Sequence, residues 1–362
     1  MPELIFLWKT KSTKSHPSLK LWNGKEEKMT KKAASNIPFP SFYDPKKVGE
    51  IFLPRYDQIM KEAIEFRKKF KIRPAVEDKF RIAVFSIDEQ IGFCVPGASL
   101  FVPGAVEDSQ RGNEFILRNL DAITDLYFSL DTHRVFQIFY PTFWIDKDGN
   151  HPAPFTMIST EDIKKGNWTA ALYPLEAVAY VEALEKAGKY ILIIWPFHTM
   201  LGAVDHALVP ATFEVALFHS LVRQKQTIFE TKGTHPLTEN YSVLEPEVKQ
   251  LEVANKALAL GQFNAKFFKA LMENDRVYLK GQAKSHCVKS TIDSLLNQIM
   301  RDDPKLVEKV YILEDCMSPV PAVKDAAGNL LTPDFPDIAD QAIEQFRKAG
   351  MNVVKSTDPI MF

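Results

Sequence analysis

Cysteine is scarce in this chain: there are three in 362 residues, Cys94, Cys287 and Cys316. That number and spacing exclude a disulfide framework and a cysteine-rich zinc site, and they point to a reducing compartment where a free thiol remains available. Long apolar runs are also lacking, so no segment reaches the roughly 20 residues of a membrane span. Excess charge of either sign is missing: 45 Lys and Arg stand against 46 Asp and Glu, a formal net charge of −1. Nothing here favours nucleic acid or a membrane surface as a partner, and a cytoplasmic location is expected. With 46% hydrophobic and 25% charged residues, the composition is that of a chain able to bury a large core.

The first 35 residues are lysine-rich, with Ser, Thr and Asn and no sustained periodicity. They are expected to form a disordered basic leader, with Met29 available as an alternative start. Leu4-Ile-Phe-Leu-Trp8 is too short for a signal-peptide core. Residues 36–80 are expected to be an extension packing on the main domain: a proline-rich Ile37–Pro45, then a charged helix around Gln58–Lys71.

From 81 to 362 the chain alternates β-like runs with amphipathic segments. Strands are predicted at Arg81–Ile87, Leu126–Leu130, Tyr190–Ile194, Thr227–Thr231, Arg276–Leu279, Lys309–Leu313 and Asn352–Val354. Helices are predicted at Gln110–Ala122, Leu175–Lys186, Phe213–Val222, Asn264–Met272, Ser285–Met300 and Ile338–Lys348. The alternation implies an α/β fold, a doubly wound and mostly parallel sheet with helices on both faces. In such sheets ligands gather at the carboxyl ends of the strands, where Asp88, Asp131, Lys232 and Cys287 all fall. The stretch 146–166, with breakers Gly149, Pro152, Pro154 and Gly166, is predicted to be a long loop.

Cys287 lies in Val277-Tyr-Leu-Lys-Gly-Gln-Ala-Lys-Ser-His-Cys-Val-Lys-Ser-Thr291, where a strand gives way to a helix with Val288, Ile292, Leu295, Leu296 and Ile299 on one face. Free N–H groups and the helix dipole at that junction favour a thiolate. The same position also suits a small buried apolar residue.

Three separated segments together resemble the isochorismatase-like cysteine hydrolases, and within them the nicotinamidase branch. One is Phe85-Ser-Ile-Asp-Glu-Gln-Ile-Gly-Phe93, followed by Gly97-Ala-Ser-Leu-Phe-Val-Pro-Gly-Ala105. Another is Glu230-Thr-Lys-Gly-Thr-His-Pro-Leu-Thr-Glu-Asn-Tyr-Ser242, and the third is the Cys287 segment with its Cys-Val-x-x-Thr. The resemblance spans roughly Lys79 to Val354. It implies an isochorismatase-like three-layer sandwich, a triad of Asp88, Lys232 and Cys287, and a cis peptide joining Gln282 to Ala283. It also implies hydrolysis of an amide through a thioester, with the backbone N–H groups of Ala283 and Cys287 as the oxyanion hole.

Two further segments, Leu130-Asp-Thr-His133 and Ile194-Trp-Pro-Phe-His198, are similar to those that carry the metal ligands of nicotinamidases. The implied ligands are Asp131, His133 and His198, for a divalent metal: Zn2+ by ligand type, with Fe2+ or Mn2+ as alternatives. Phe93, Trp195 and Tyr241 fall where the family packs aromatic residues around its substrate.

The chain departs from the pattern in three places. Arg134 and Gln137 stand where a further histidine is usual, Thr199 follows His198 in place of cysteine, and an insert at about 146–190 lengthens the span between the metal segments. His151, His206, His219, His235 and His286 receive no role beyond surface or supporting positions. The expected partner is a small-molecule amide, with homo-oligomerisation left open. The preferred reaction is nicotinamide plus water to nicotinate plus ammonia. The alternatives are a family hydrolase of another small amide or ureido compound, and a binding protein that shares the fold without turnover.

Overall fold

The structure, a computed structural model, describes residues 37–188, 191–360 and 362. The expected leader over 1–35 lies outside them. Six strands form one sheet: β1 (Ile82–Ile87), β2 (Asp125–Asp131), β3 (Ile228–Lys232), β4 (Arg276–Gly281), β5 (Val310–Leu313) and β6 (Asn352–Val354). Every neighbouring pair is parallel. The order is β3-β2-β1-β4-β5-β6. The chain therefore winds outward from β1 in one direction, returns, and winds outward in the other from β4. The crevice beyond β1 and β4 is the switch point at which such sheets place their ligands.

Helices of eight residues or more are α1 (Tyr56–Phe70), α2 (Ala105–Arg118), α3 (Pro174–Ala187), α4 (Pro210–Arg223), α5 (Ala265–Met272), α6 (Lys289–Asp302) and α7 (Phe335–Lys348). All six residues of β1 are buried, as expected for a strand covered on both faces. Its side chains alternate. Ile82 and Val84 join Phe115 of α2, Phe218 of α4 and Ile59 and Phe66 of α1 in one core. Ala83, Phe85 and Ile87 join Phe267 of α5, Leu295 of α6, Phe346 of α7 and Tyr180 of α3 in the other. α1 is thus one of the helices that cover the first face. It is tied there by the Phe66–Phe218 ring pair at 5.2 Å and by Arg55, just ahead of the helix, on Glu214 at 2.5 Å.

Several element boundaries differ from those read in the sequence. α2 begins five residues earlier than its periodicity suggests, because Gly104, at φ 96°, lets the chain enter the helix directly from the Val102-Pro103 turn. The segment predicted as a strand at Tyr190–Ile194 is not in the sheet. Within the described residues, only Leu192–Ile193 is extended, and it pairs antiparallel with Met157–Ile158. The predicted loop at 146–166 is correspondingly more ordered. It holds that extended pair and a short helix, Thr160–Lys164, with a Ser159/Asp162 capping box. Gln250–Val253 and Lys256–Ala259 form an antiparallel hairpin in a stretch with no predicted strand.

Candidate active site

Asp88 is the first residue after β1, Lys232 is the last of β3, and Cys287 lies in a π-helical turn, Lys284–Val288, between β4 and α6. Two backbone features bring these ends together. Gly281, at φ 126°, lets β4 press so close to β1 that any Cβ there would overlap the Ile87 carbonyl. Asp88 itself takes a left-handed backbone, φ 48°, which turns its carboxylate out of the strand and into the crevice.

Lys232 is the hub. Its Nζ lies 2.8 Å from Asp131 Oδ1, 2.8 Å from the Asn240 carbonyl, 3.0 Å from Asp88 Oδ2 and 3.6 Å from Cys287 Sγ. An ammonium has three hydrogens for these four neighbours. Asp88 Oδ2 is the atom left without a hydrogen bond, held by charge alone. The other oxygen, Oδ1, accepts the Ser129 hydroxyl at 2.6 Å. The carboxylate is therefore fixed at one end and open at the other, beside the thiol.

Burial raises the Asp88 carboxyl, and Lys232 opposes that shift. Burial also pushes the Cys287 thiol well up; the Lys232 ammonium pulls it down while Asp88 and Asp131 push it further. The thiolate expected from the helix end is thus not the resting form, because desolvation and two carboxylates outweigh the helix dipole. A neutral thiol beside an open carboxylate needs that carboxylate to take its proton. Lys232 stays cationic: burial works against its charge, but Asp131 and Asp88 hold it well above the usual lysine range.

The cis peptide joins Gln282 to Ala283, as the resemblance implies. Ala283, which follows this bond, lines the cavity beside Cys287.

The expected metal ligands also meet. His133 Nε2 lies 2.8 Å and His198 Nε2 3.7 Å from Asp131 Oδ2. Their other ring nitrogens face backbone carbonyls, His133 Nδ1 that of Gly233 at 3.2 Å and His198 Nδ1 that of Pro196 at 2.8 Å. A carbonyl can only accept, so both Nδ1 atoms carry the proton and both Nε2 atoms present lone pairs to one carboxylate oxygen. Two lone pairs and an anion converging without a shared hydrogen are a donor set suited to a divalent cation. Burial keeps His198 neutral against the pull of Asp131. Burial alone would raise the Asp131 carboxyl, but the carboxyl is held well below the carboxylate range, with the Lys232 ammonium 2.8 Å away pulling it down.

The Asp131 backbone is clamped by Gln90, which donates to its carbonyl at 2.8 Å and accepts its N–H at 2.7 Å. Gly233, at φ 83°, leaves room that a Cβ would take from Asp131 and His133. Gln137, at one of the departures from the family pattern, is fully buried and bonds the Gly233 and His235 carbonyls. That position now fastens the loop after β3 in place of offering a ligand.

These groups open into one cavity, walled in part by Phe93, Trp195, Tyr241 and Ala283. All the expected site residues converge, and all but Asp88 and Lys232 line the cavity; those two meet Cys287 and Asp131 from behind its wall. The cavity also contains residues the sequence reading gave no role: Glu239, His286, Phe139, Leu100 and Val320. His286 was legible only as the neighbour of Cys287. Its ring packs 5.2 Å from Trp195 and 4.6 Å from Phe335, and burial drops its pKa to about 3, so it is a neutral wall. His219 is likewise buried rather than at the surface, inside the core between β2 and α4. Glu239 follows an unremarkable Leu237-Thr238 and gave no sequence signal beyond its place just ahead of Tyr241.

No family model matches the chain, and no curated protein matches it. Among solved structures, it is similar to the nicotinamidase/pyrazinamidase of Acinetobacter baumanii at 20% identity, over 78% of this chain and 99% of that one, with a TM-score of 0.46. It is similar to the yeast nicotinamidase bound to the inhibitor nicotinaldehyde at 17% identity, over 76% and 99%, with a TM-score of 0.48. A pyrazinamidase of Pyrococcus horikoshii in complex with zinc aligns at 17% identity over 76% and 99%, with a TM-score of 0.42.

Proposed function

We propose that this protein is a cysteine-dependent amide hydrolase of the isochorismatase-like kind, acting as a nicotinamidase: nicotinamide plus water gives nicotinate plus ammonia. One observation carries the reading. Asp88, Lys232 and Cys287, up to 199 residues apart, meet at the carboxyl ends of β1, β3 and β4, with the ammonium 3.0 Å from the carboxylate and 3.6 Å from the sulfur.

The chemistry follows from the resting protonation. Asp88 Oδ2 takes the thiol proton as Cys287 Sγ bonds to the amide carbon, and the carbonyl electron pair moves onto oxygen. The N–H groups of Ala283 and Cys287 stabilise that oxyanion. On collapse the C–N bond breaks, and Asp88 returns the proton to the departing ammonia. Asp88 then takes a proton from water as the water attacks the thioester, and the C–S bond breaks to release the acid and restore the thiol. Lys232 stays cationic throughout and fixes the carboxylate. Asp131, His133 and His198 would hold the metal, zinc first by ligand type; it would supply a Lewis-acid contact for an electron-pair donor on the substrate. Phe93, Trp195 and Tyr241 would enclose a planar ring.

Ammonia release from a panel of small amides and ureido compounds, with metal content measured alongside, tests the reading. Nicotinamide should be hydrolysed, and Cys287→Ala should abolish release while leaving the fold intact. More than a few per cent of residual activity in that variant would contradict a covalent route. Full activity in metal-free protein would favour a different small amide as substrate.

A further inference from the structure

The insert reaches the cavity through two residues. Phe155 donates its N–H to the Ile194 carbonyl at 2.5 Å, Ile194 donates to the Thr156 carbonyl at 2.8 Å, and the Phe155 ring meets the Trp195 indole edge-on at 5.8 Å. From α3, the fully buried Tyr180 hydroxyl accepts the Glu239 backbone N–H at 3.0 Å. Glu239 in turn gathers two aromatic walls of the cavity. Its Oε1 accepts the Trp195 indole N–H at 2.8 Å, the Tyr241 hydroxyl donates to the same carboxyl, and the indole also lies 3.1 Å from the Tyr241 oxygen.

We propose that Glu239 is the positioning residue of the substrate pocket, setting the angle between Trp195 and Tyr241, and that the insert acts through Tyr180 as a fixed wall that sets substrate affinity. The inference rests on the aromatic-amide hydrolase reading and deepens it. A leucine of similar size would fill the space but could accept neither the indole N–H nor the Tyr241 hydroxyl; the indole would keep only the Tyr241 oxygen, the hydroxyl would lose its acceptor, and both rings would turn to restore their bonds. Burial raises the Glu239 carboxyl to about 8, so at neutral pH it sits in the apolar wall largely without charge. A moving lid would need few bonds to the walls; here the insert is hydrogen-bonded to both the segment before Trp195 and the loop carrying Glu239.

The test compares wild type with Glu239→Leu, Glu239→Gln and Tyr180→Phe in the full chain. The readouts are steady-state hydrolysis of nicotinamide at pH 7 and Trp195 emission, obtained by difference against matched Trp195→Phe proteins. Glu239→Leu should raise KM about tenfold or more, with kcat changed by less than about threefold, and should shift the Trp195 emission. Glu239→Gln keeps an acceptor for the indole and should stay within about threefold of wild-type KM. Tyr180→Phe should raise KM in the same direction as Glu239→Leu, and it carries the test should the leucine variant not fold. Wild-type KM with unshifted emission in both Glu239→Leu and Tyr180→Phe overturns the proposal. So does a Tyr180→Phe variant with lowered kcat and unchanged KM, the signature of a lid. If wild type releases no ammonia from nicotinamide, the function reading fails, and the Trp195 emission alone then decides whether Glu239 positions the wall.

Discussion

Lys232 and Asp131 are joined by a 2.8 Å ion pair in which neither side chain is more than 6% exposed. The pair ties the thiol half of the site to the metal half, because the same ammonium faces Cys287 and the same carboxylate faces both histidines. Asp131 adds negative charge near a thiol that burial has already pushed up.

Asp131→Asn should therefore make Cys287 more acidic. Removing one nearby charge moves such a group by one unit or more, so alkylation by iodoacetamide at pH 8, after chelation, should accelerate roughly tenfold. Cys94 and Cys316, both buried and with thiols raised chiefly by that burial, should stay unreactive in both proteins. An unchanged or slower rate at Cys287 would show that Asp131 does not act on the sulfur.

Asp88→Asn tests the proton acceptor. The amide preserves the Ser129 contact and the volume but cannot take the thiol proton, so kcat should fall by about 10²–10⁴. The loss should be smaller at alkaline pH, where solvent can remove the proton instead. A variant with a wild-type kcat at pH 7 would leave Asp88 as a structural residue only.

The inner strands were readable in the sequence because they are short apolar runs buried on both faces, as in Ile82–Ile87, and five of the six strands lie within one residue of their predicted bounds at each end. The sixth strand, β4, runs two residues past its predicted end, because Lys280 looks like a surface charge until its buried partner Glu89 is seen. Asp88, Lys232 and Cys287 were legible as separate motifs, but their distances depend on how closely β4 approaches β1 at Gly281 and on the left-handed turn at Asp88, and neither the approach nor the turn is written in a motif. Glu239 and Tyr180 escaped notice for the same reason. One is an ordinary polar residue in a loop and the other an ordinary aromatic on a helix, and only packing of the insert against the loop after β3 brings them together.

His219 predicts acid sensitivity. It is fully buried, its Nε2 donates to the Ile123 carbonyl at 3.0 Å, and burial lowers its pKa to about 4. The unfolded chain takes up a proton here near pH 6.5 and the folded chain does not, so stability is intact above 6.5 and declines as pH falls toward 4. The decline from this one group is on the order of 2–3 kcal/mol. His219→Gln, which can still donate to Ile123, should flatten the loss of Tm between pH 6.5 and 4. Parallel Tm curves for the two proteins over that window would show that the group does not titrate on unfolding.

Glu89 and Lys280 give the largest predicted effect on stability. Glu89 follows Asp88 directly, and its carboxylate meets Lys280 Nζ at 2.5 Å with neither side chain exposed. The lysine stem runs so close to α2 that a Cβ at Gly112 would lie 2.7 Å from its outer atoms and would have to displace them. Burial raises the Glu89 carboxyl, and Lys280 is what opposes that shift. Lys280→Met keeps the stem's volume and leaves the carboxylate buried without a partner, which costs about 3–5 kcal/mol. The protein can relieve part of this by protonating Glu89, so the loss should shrink as pH falls. Glu89→Gln combined with Lys280→Met removes both charges together and should recover most of the stability, since a buried pair is often no better than an apolar replacement. Denaturant unfolding of wild type, Glu89→Gln, Lys280→Met and the double variant at pH 7 completes the cycle. A double variant as unstable as Lys280→Met alone would mean that the methionine disrupts packing against Gly112, and that the charge pair is not what holds β1 and β4 in register behind the thiol.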